Sequence, residues 1–447
     1  MSSSQRQLHL GFTVWPVGFH PAGWRLPEAR TNGNDNHAFF RRTARLAEAG
    51  LFDFFFIGDR FSARPELQLT SPNQVLRPEA LSLAGFVAGV TEKIGIVTTI
   101  NVTYADPYSA ARSLATLDHL SGGRMGWNIV TGEDEVAAAN FSRSEHWNNA
   151  RRYEWATEFA QVVKKLWDSW EDDALIADKE TGQFIDENRV HRIEHRGAFF
   201  SIDGPLNSQR PPQGQLPIVN AGHSQESVLL GAQYADIKFT DSSTLPFEQA
   251  RAYYARLKQA TADLGRDPDQ QFVIPGVCVY TAHTSAEAHA LYKRVQRAWR
   301  IPVDLSALGQ AVGADLSGYA PDEPIDAVPP LRQVDERGAA LLGLARELHG
   351  DGAITLEDLF KTWKRQPVFR EVVGSPAQVA DLFAHWFEAR LADGFMIFPP
   401  YMDGGLDDFV KLVIPELQRR GLFRTGYEGS TLREHFGLPR PKNAYAR

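Results

Sequence analysis

The chain has 447 residues, 43% hydrophobic and 23% charged, the balance of an ordinary globular protein. Its 47 basic and 55 acidic residues leave a net charge of −8, which excludes wrapping of nucleic acid and docking on anionic lipid. Cys278 is the only cysteine, which excludes an intramolecular disulfide or a multi-thiolate metal site and makes a reducing compartment, the cytoplasm, the expected location. The amino terminus lacks the apolar run of a signal peptide, and no stretch nears the ~18 apolar residues of a membrane span.

Length alone suggests about three domains, but an α/β barrel of about 250 residues absorbs insertions past 400. Taken in chain order, nearly continuous apolar or β-branched runs predict strands at 8–15, 52–59, 94–102, 125–131, 216–221, 235–240, 272–281 and 394–399. Helical spacing fills the gaps. It runs over 36–50, closed by Gly50, then 78–91 and 107–120, each opening on a proline. Further helices are expected at 151–170, 225–234, 246–264, 285–299 and 376–392. Eight strands alternating with about eight helices predict an α/β fold, a (β/α)8 TIM barrel spanning 1–447 as one domain. A doubly wound sheet ranks second, because no Gly-x-Gly-x-x-Gly follows the first strand. Two connections are long: 132–215 after strand 4, and 301–375 between helix 7 and strand 8. Such insertions serve as lids or oligomer contacts. The polar tail after Gly421 is expected to wrap the outside.

In a barrel, chemistry collects at the carboxyl ends of the strands. Those ends carry His20 and Trp24, Asp59 and Arg60, Thr98, Thr99 and Asn101, Asn128 and Thr131, then Gly222, His223 and Ser224. Trp15, Phe19, Trp24, Phe61, Trp127 and Trp147 are expected around them. Amides and hydroxyls with aromatic walls suit a planar heterocycle. They suit a metal poorly, since the 13 histidines are dispersed and no His-x-His follows the first strand. Ala221-Gly222-His223-Ser224 leads straight into a helix, which suits a phosphate, although Ser224 equally fits a plain helix cap. Arg151-Arg152-Tyr153 either reaches the same anion or forms a solvated turn. Asp59 either faces the pocket or pairs with Arg60 or Arg64. Arg124 precedes its strand and reads as structural, and Cys278 as a core thiol. Arg25 and Arg60 are the only obvious cations near the pocket, which favours an apolar or heteroaromatic substrate over a polyanion.

Five segments are familiar: PVGFHPAGWRLPEA (16–29), AEAGLFDFFFIGDRF (47–61), KIGIVTTINVTYADPYSAARSLATLDHLSGGRMGWNIVTG (93–132), HRGAFFSIDGPLNSQRPPQGQLPIVNAGHS (195–224) and ADIKFT (235–240). In collinear order they resemble the nitrilotriacetate monooxygenase branch of the bacterial-luciferase-like flavin monooxygenases, which includes the dibenzothiophene sulfone oxygenases. The resemblance implies a barrel that takes reduced FMN (FMNH2) by diffusion from a separate NAD(P)H-dependent flavin reductase. It implies O2 as co-substrate and a flavin peroxide that carries the chemistry. The expected outcome is oxygenation of a small heteroaromatic, organosulfur or amine compound, with C–S, C–N or ring cleavage, in a homodimer or homotetramer. Family FMN contacts fall on Asp59, Thr99, Tyr153 and Ser224. A histidine common in relatives is replaced by Asn149, which hydrogen-bonds but carries no charge. Asn128, Gly222 and His223 complete the expected cofactor side. Trp15, Phe19, Trp24, Phe61 and Trp147 form the expected substrate side, and His20 is the candidate proton donor. Competing readings are a deazaflavin- or flavin-dependent dehydrogenase on the same barrel, a non-catalytic flavin-binding barrel and a metal hydrolase.

Overall fold

Apolar runs buried on both faces need helices on one side and a packed interior on the other, and the chain meets that need by closing its sheet. The computed structural model describes residues 6–31, 36–350, 352–365 and 369–446; the first five residues, part of the amino terminus expected to lack a leader, lie outside them. The barrel strands are β1 (His9–Thr13), β2 (Phe54–Ile57), β3 (Gly95–Asn101), β4 (Met125–Val130), β5 (Ile218–Ala221), β6 (Ile237–Thr240), β7 (Phe272–Thr281) and β8 (Gly394–Phe398). Neighbours pair in parallel from β1 through β7, β7 pairs with β8, and β8 returns to β1. Each strand lies within its predicted run. The fold is the expected (β/α)8 barrel.

Helices α1 (His37–Ala49), α2 (Ala80–Ala88), α3 (Pro107–Ser121), α4 (Asn149–Asp168), α5 (Gln225–Tyr234), α6 (Phe247–Asp263) and α7 (Ser285–Ala298) cover the outside. Pro107 does open α3, behind the Asp106 cap. Pro78 does not open α2. Glu79 is the cap there, accepting the Leu81 and Ser82 N–H groups, so the proline lies outside the helix. The alternation also differs late in the chain. Helix α8 (Pro376–Glu388) precedes β8, and an unpredicted strand, Arg370–Gly374, pairs with the carboxyl-terminal half of β7. The helical run that follows β8 covers 404–419 and includes a π-helical segment, Phe409–Val413. Two glycines at its start and Pro415 inside it hide its periodicity.

The tail corrects the expectation that it wraps the outside. It plugs the amino end of the barrel. Leu432, Phe436 and Leu438 are buried there. A Cβ on Gly95 or Gly126 would lie 2.4 or 2.8 Å from the Leu432 side chain, so those strand glycines make room for the plug. Phe436 stacks on His9 at 4.3 Å. Beside it Asp53 accepts the Leu10 N–H (2.7 Å), contacts His9 Nδ1 (2.8 Å) and pairs with Arg424. Arg124 is structural as expected, donating to the carbonyls of Ala88, Thr91, Ile94 and Ser121. The 132–215 insertion runs down to this face, where Arg210 pairs with Asp168 (3.0 Å) and Gln213 donates to Asp118 (2.7 Å). The 301–375 insertion has a small apolar core of its own, including Leu308, Val312, Leu341, Leu356 and Phe360, and returns over the opposite, functional face.

Truncating the plug tests its place in the core. Leu432→Ala is expected to cost about 2–5 kcal/mol of unfolding free energy, the range for a buried leucine with little room to collapse. Chemical denaturation checks this; a midpoint equal to the parent's would show that the tail is not part of the barrel core.

Candidate functional site

Strand register decides which side chains reach the mouth. On β4, Trp127 turns outward into the helix layer, 6.1 Å from Trp167, and Asn128 turns inward. The expectation that Trp127 joins the aromatic ring of the pocket is therefore corrected. Asn128 Nδ2 donates to Thr99 Oγ1 (2.9 Å), which donates to the Ile57 carbonyl (2.8 Å). That leaves Asn128 Oδ1 buried without a partner among the described residues, an acceptor available to a ligand N–H or hydroxyl.

A cavity of about 460 Å³ opens above these residues. It brings together Asp59, Thr99, Asn128, Asn149, Tyr153, Gly222, His223 and Ser224, with Arg152 and Phe61 on its wall. Gly222 has φ of +98°, and a Cβ there would stand 3.0 Å from Ser227 Oγ, so the loop needs glycine on two counts. Ser224 lines the cavity and also caps α5, accepting the Ser227 N–H at 3.2 Å. Asn149 donates to Glu226 Oε2 (3.0 Å) and accepts from Arg152 (3.2 Å). Arg152 makes no ion pair among the described residues, and its Nε is buried without a partner. The turn is therefore not merely solvated: it brings an uncompensated guanidinium to the loop that ends β5. The His223 ring is 65% exposed and lies 3.2 Å from Asp241, so it turns outward.

Asp59 pairs with neither Arg60 nor Arg64. Both arginines go to Asp134, at 3.2 and 3.7 Å, which also accepts the Ser62 hydroxyl and so ties the β2 loop to the β4 loop. Burial pushes the Asp59 carboxyl up to about 6, against the Arg60 N–H (2.7 Å), which favours the anion.

Asp59, Arg60 and Glu133 are shared with a second cavity of about 910 Å³. Trp15 and Phe19 enter it from the β1 loop, and Trp299, Ile301, Phe360 and Phe369 from the second insertion and the residues before it. Among the described residues, neither cavity is lined by Trp24, Trp147 or His20. Trp24 faces solvent, and Trp147 is stacked between Arg143 (4.3 Å) and Arg151 (4.5 Å). His20 is fully buried, edge-on to Trp299 at 5.6 Å, with Nδ1 accepting the Ala22 N–H. Burial, reinforced by the Arg365 charge, holds its pKa well below the ordinary histidine value, so the ring is neutral at neutral pH, its one proton on Nε2.

The cations differ from expectation as well. Arg25 is exposed and away from both cavities. Arg77, Lys364 and Arg365, which the sequence did not single out, line the second cavity. Arg365 lies 5.4 Å over Phe19 and pairs with Glu371 (2.5 Å). Arg77 lies 4.5 Å over Trp15 and donates to the Asn73 carbonyl, and the nearby Asp59 carboxylate favours its charged form. Burial lowers its pKa to about 10. Arg77 sits in the loop after β2, on the functional face, so its position was a usable signal. No signal marked Lys364 and Arg365, since their placement depends on how the insertion folds. Among the described residues no cluster of His, Cys, Asp and Glu has the arrangement of a metal site. Nor, among the described residues, is any helix long and apolar enough to cross a membrane.

Residues 19–393 match the family of luciferase-like monooxygenases. The chain belongs to that family. It is 40% identical to N-acetyl-S-(2-succino)cysteine monooxygenase of Bacillus subtilis (strain 168), over 100% of both chains. It is 39% identical to nitrilotriacetate monooxygenase component A of Aminobacter aminovorans, over 99% of both. The crystal structure of a riboflavin lyase with modified FMN and riboflavin superposes with a TM-score of 0.79 at 30% identity, covering 98% of this chain and 97% of that one.

In this luciferase-like barrel the Asp59 carboxylate has a stability cost with a definite sign. Its folded pKa lies above the unfolded value, so the folded protein binds more protons and loses stability as pH rises from about 4 to about 6. Asp59→Asn should therefore raise stability at pH 7 by about 1–2 kcal/mol and leave it nearly unchanged at pH 4. Denaturation at both pH values checks this; equal effects at both would overturn it.

Proposed function

We propose that this chain is the oxygenase component of a two-component monooxygenase, taking FMNH2 by diffusion from a separate NAD(P)H-dependent flavin reductase. The observation that carries the reading is the pair of joined cavities. One has polar walls and a glycine turn onto a helix start, with Arg152 beside it. The other is aromatic and meets the first at Asp59, Arg60 and Glu133. Flavin use follows the family, and FMN fits what the first cavity offers. A helix N-terminus and an unpaired guanidinium suit a phosphate. The orphaned Asn128 Oδ1 suits a polar ring edge or a ribityl hydroxyl. Tyr153, Ser224, Gly222 and Arg152 would hold the phosphate end, with Thr99, Asn128 and Asp59 toward the ring. When bound, the reduced flavin supplies the oxygen-activating chemistry. The protein's task is to bind, orient and keep water out.

The second insertion does the last of these, since Ile301, Phe360 and Phe369 wall the substrate cavity. The first insertion does not reach that cavity beyond Glu133, so the lid belongs to 301–375. His20 has no direct proton-transfer role in this reading; it braces Trp299. The substrate is a small organosulfur or amine compound with an anionic end. Its body packs on Trp15 and Phe19, and its charge meets Arg77 and Lys364. This adds an anionic end to the apolar or heteroaromatic, organosulfur or amine substrate expected from sequence. The named substrates of the two relatives, an S-substituted cysteine and nitrilotriacetate, fit the same description.

The whole chain acts as one unit, because both insertions contribute to the pockets or the scaffold beneath them. A reducing, cytoplasmic setting is supported by the single buried Cys278. Self-association as a homodimer or homotetramer is supported by exposed Leu175, Ile176 and Phe184 on the first insertion.

Anaerobic titration with FMNH2, followed by oxygen uptake with an unrelated flavin reductase and a panel of sulfur and amine acids, tests the reading. Tight FMNH2 binding and substrate-coupled oxygen uptake are expected. Arg152→Gln should weaken FMNH2 binding about tenfold, the worth of one charge-assisted contact. Absence of affinity for FMNH2 would sink the assignment.

A further inference from the structure

Lys238 leaves β6 toward the first turn of α5 and is fully buried. Its ammonium donates to Asn220 Oδ1 (2.5 Å), to Ser227 Oγ (3.0 Å) and to the Ser227 carbonyl (3.2 Å). These partners shape the loop at the phosphate end of the first cavity. Ser227 Oγ donates to the Ala221 carbonyl (2.7 Å) and stands beneath Gly222, and Asn220 lines the cavity itself.

No carboxylate compensates this cation among the described residues. Glu226, the only acid on α5, is bonded to Asn149. Asp236, before β6, pairs with Arg266 (3.3 Å) and Arg433 (3.7 Å), and Asp241, after it, lies beside His223. Strand β5 carries no charged residue, and the β7 residue in register with Lys238 is Val273. Across Gly222 stands the Tyr153 hydroxyl, not a carboxylate, and His223 turns to Asp241. A dry ammonium without a counter-charge is costly. Placed under a helix N-terminus it also adds to the positive end of the helix dipole instead of opposing it. Both penalties shrink if an anion sits on the other face of the loop.

We propose that Lys238 is a positioning residue for the cofactor phosphate, holding the 221–224 loop in shape through Asn220 and Ser227 while the phosphate across the loop balances its charge. The proposal rests on the FMN assignment of the first cavity. Burial pulls the Lys238 pKa down to about 7, so near neutral pH the free protein holds this proton only partly. A bound anion raises that pKa, so binding takes up a proton and FMN affinity falls as pH rises from 7 toward 9. The phosphate does not reverse this trend, since its own second ionisation, near 6, is already complete.

Anaerobic titration of the parent and of Lys238→Met with reduced FMN and with reduced riboflavin, which lacks the phosphate, separates the contributions. The parent should prefer FMN, and the preference should shrink from pH 7 to pH 9. The variant should lose about tenfold in FMN affinity at pH 7 and keep riboflavin affinity within about twofold. Calorimetry in two buffers of different ionisation enthalpy should show proton uptake with FMN in the parent and none in the variant. If the methionine variant does not fold, Lys238→Gln, which keeps hydrogen bonding without charge, should show the same losses. A variant that keeps the parent's FMN preference and proton uptake overturns the role of Lys238 and leaves the flavin reading standing. A parent that binds neither flavin overturns the flavin reading, and this inference with it.

Discussion

A guanidinium or ammonium taken out of water is tolerated only where something of opposite sign, or a dense set of oxygens, stands beside it. Around the mouth of this barrel Arg152 and Lys238 have oxygens but no carboxylate partners among the described residues, and Arg77 has the charge of Asp59 nearby without an ion-pair contact. At the opposite end the pattern reverses: Asp53 meets Arg424 and His9, and Asp168 meets Arg210. At one end the buried charges are paired; at the other, ion pairs such as Arg60 to Asp134 stand beside cations that have no carboxylate in ion-pair contact. A scaffold selected only for stability would not keep the second arrangement, because each unpaired cation costs folding free energy. Those unpaired cations are what the proposed anionic groups of cofactor and substrate would meet.

The division of labour between the ends follows from the plug. With Leu432 and Phe436 filling the amino end, Gly95 and Gly126 can let another chain segment approach the strands without leaving voids. The packed base fixes the strand positions, and the loops after β2, β4 and β5 are then held by short polar ties such as Arg60 to Asp134 and Asn128 to Thr99. Side chains in both cavities are oriented by strands and by these ties more than by loop packing, which suits a site that must place two ligands against each other.

The eight strands were legible because each is apolar on both faces, and the alternation that encodes them is local. The polar ends of those strands were legible for the same reason, so the order of letters alone could place Asp59, Thr99, Asn128 and the 221–224 turn at the mouth. Side-chain direction was not legible. Trp127 and Asn128 are adjacent letters, yet one packs under α4 and the other faces the cup, and a one-residue choice of register decides between them. Long-range placement was also hidden. Arg365 meets Phe19 only because an insertion with its own small core folds back across the mouth, and the tail becomes a plug only through contacts with strands near the start of the chain. Gly404, Gly405 and Pro415 masked the last helix because intrinsic propensity pointed away from it, and packing against the barrel overrode that preference.

Asn149, at a position where the family resemblance implies a histidine, has a counterpart in the surrounding contacts. A histidine there would bring potential positive charge to the proposed phosphate corner; asparagine brings none, but its amide ties back the Glu226 carboxylate. Glu226 sits in the first turn of α5, where the helix dipole welcomes a carboxylate and where a phosphate would compete for the same field. Left free, it would repel the ligand. Holding it to Asn149 while Arg152 bonds the other end of the same amide keeps acid and base apart, so Arg152 is not spent on an internal ion pair. Charge lost at position 149 is thus offset by charge kept unspent at Arg152 and Lys238.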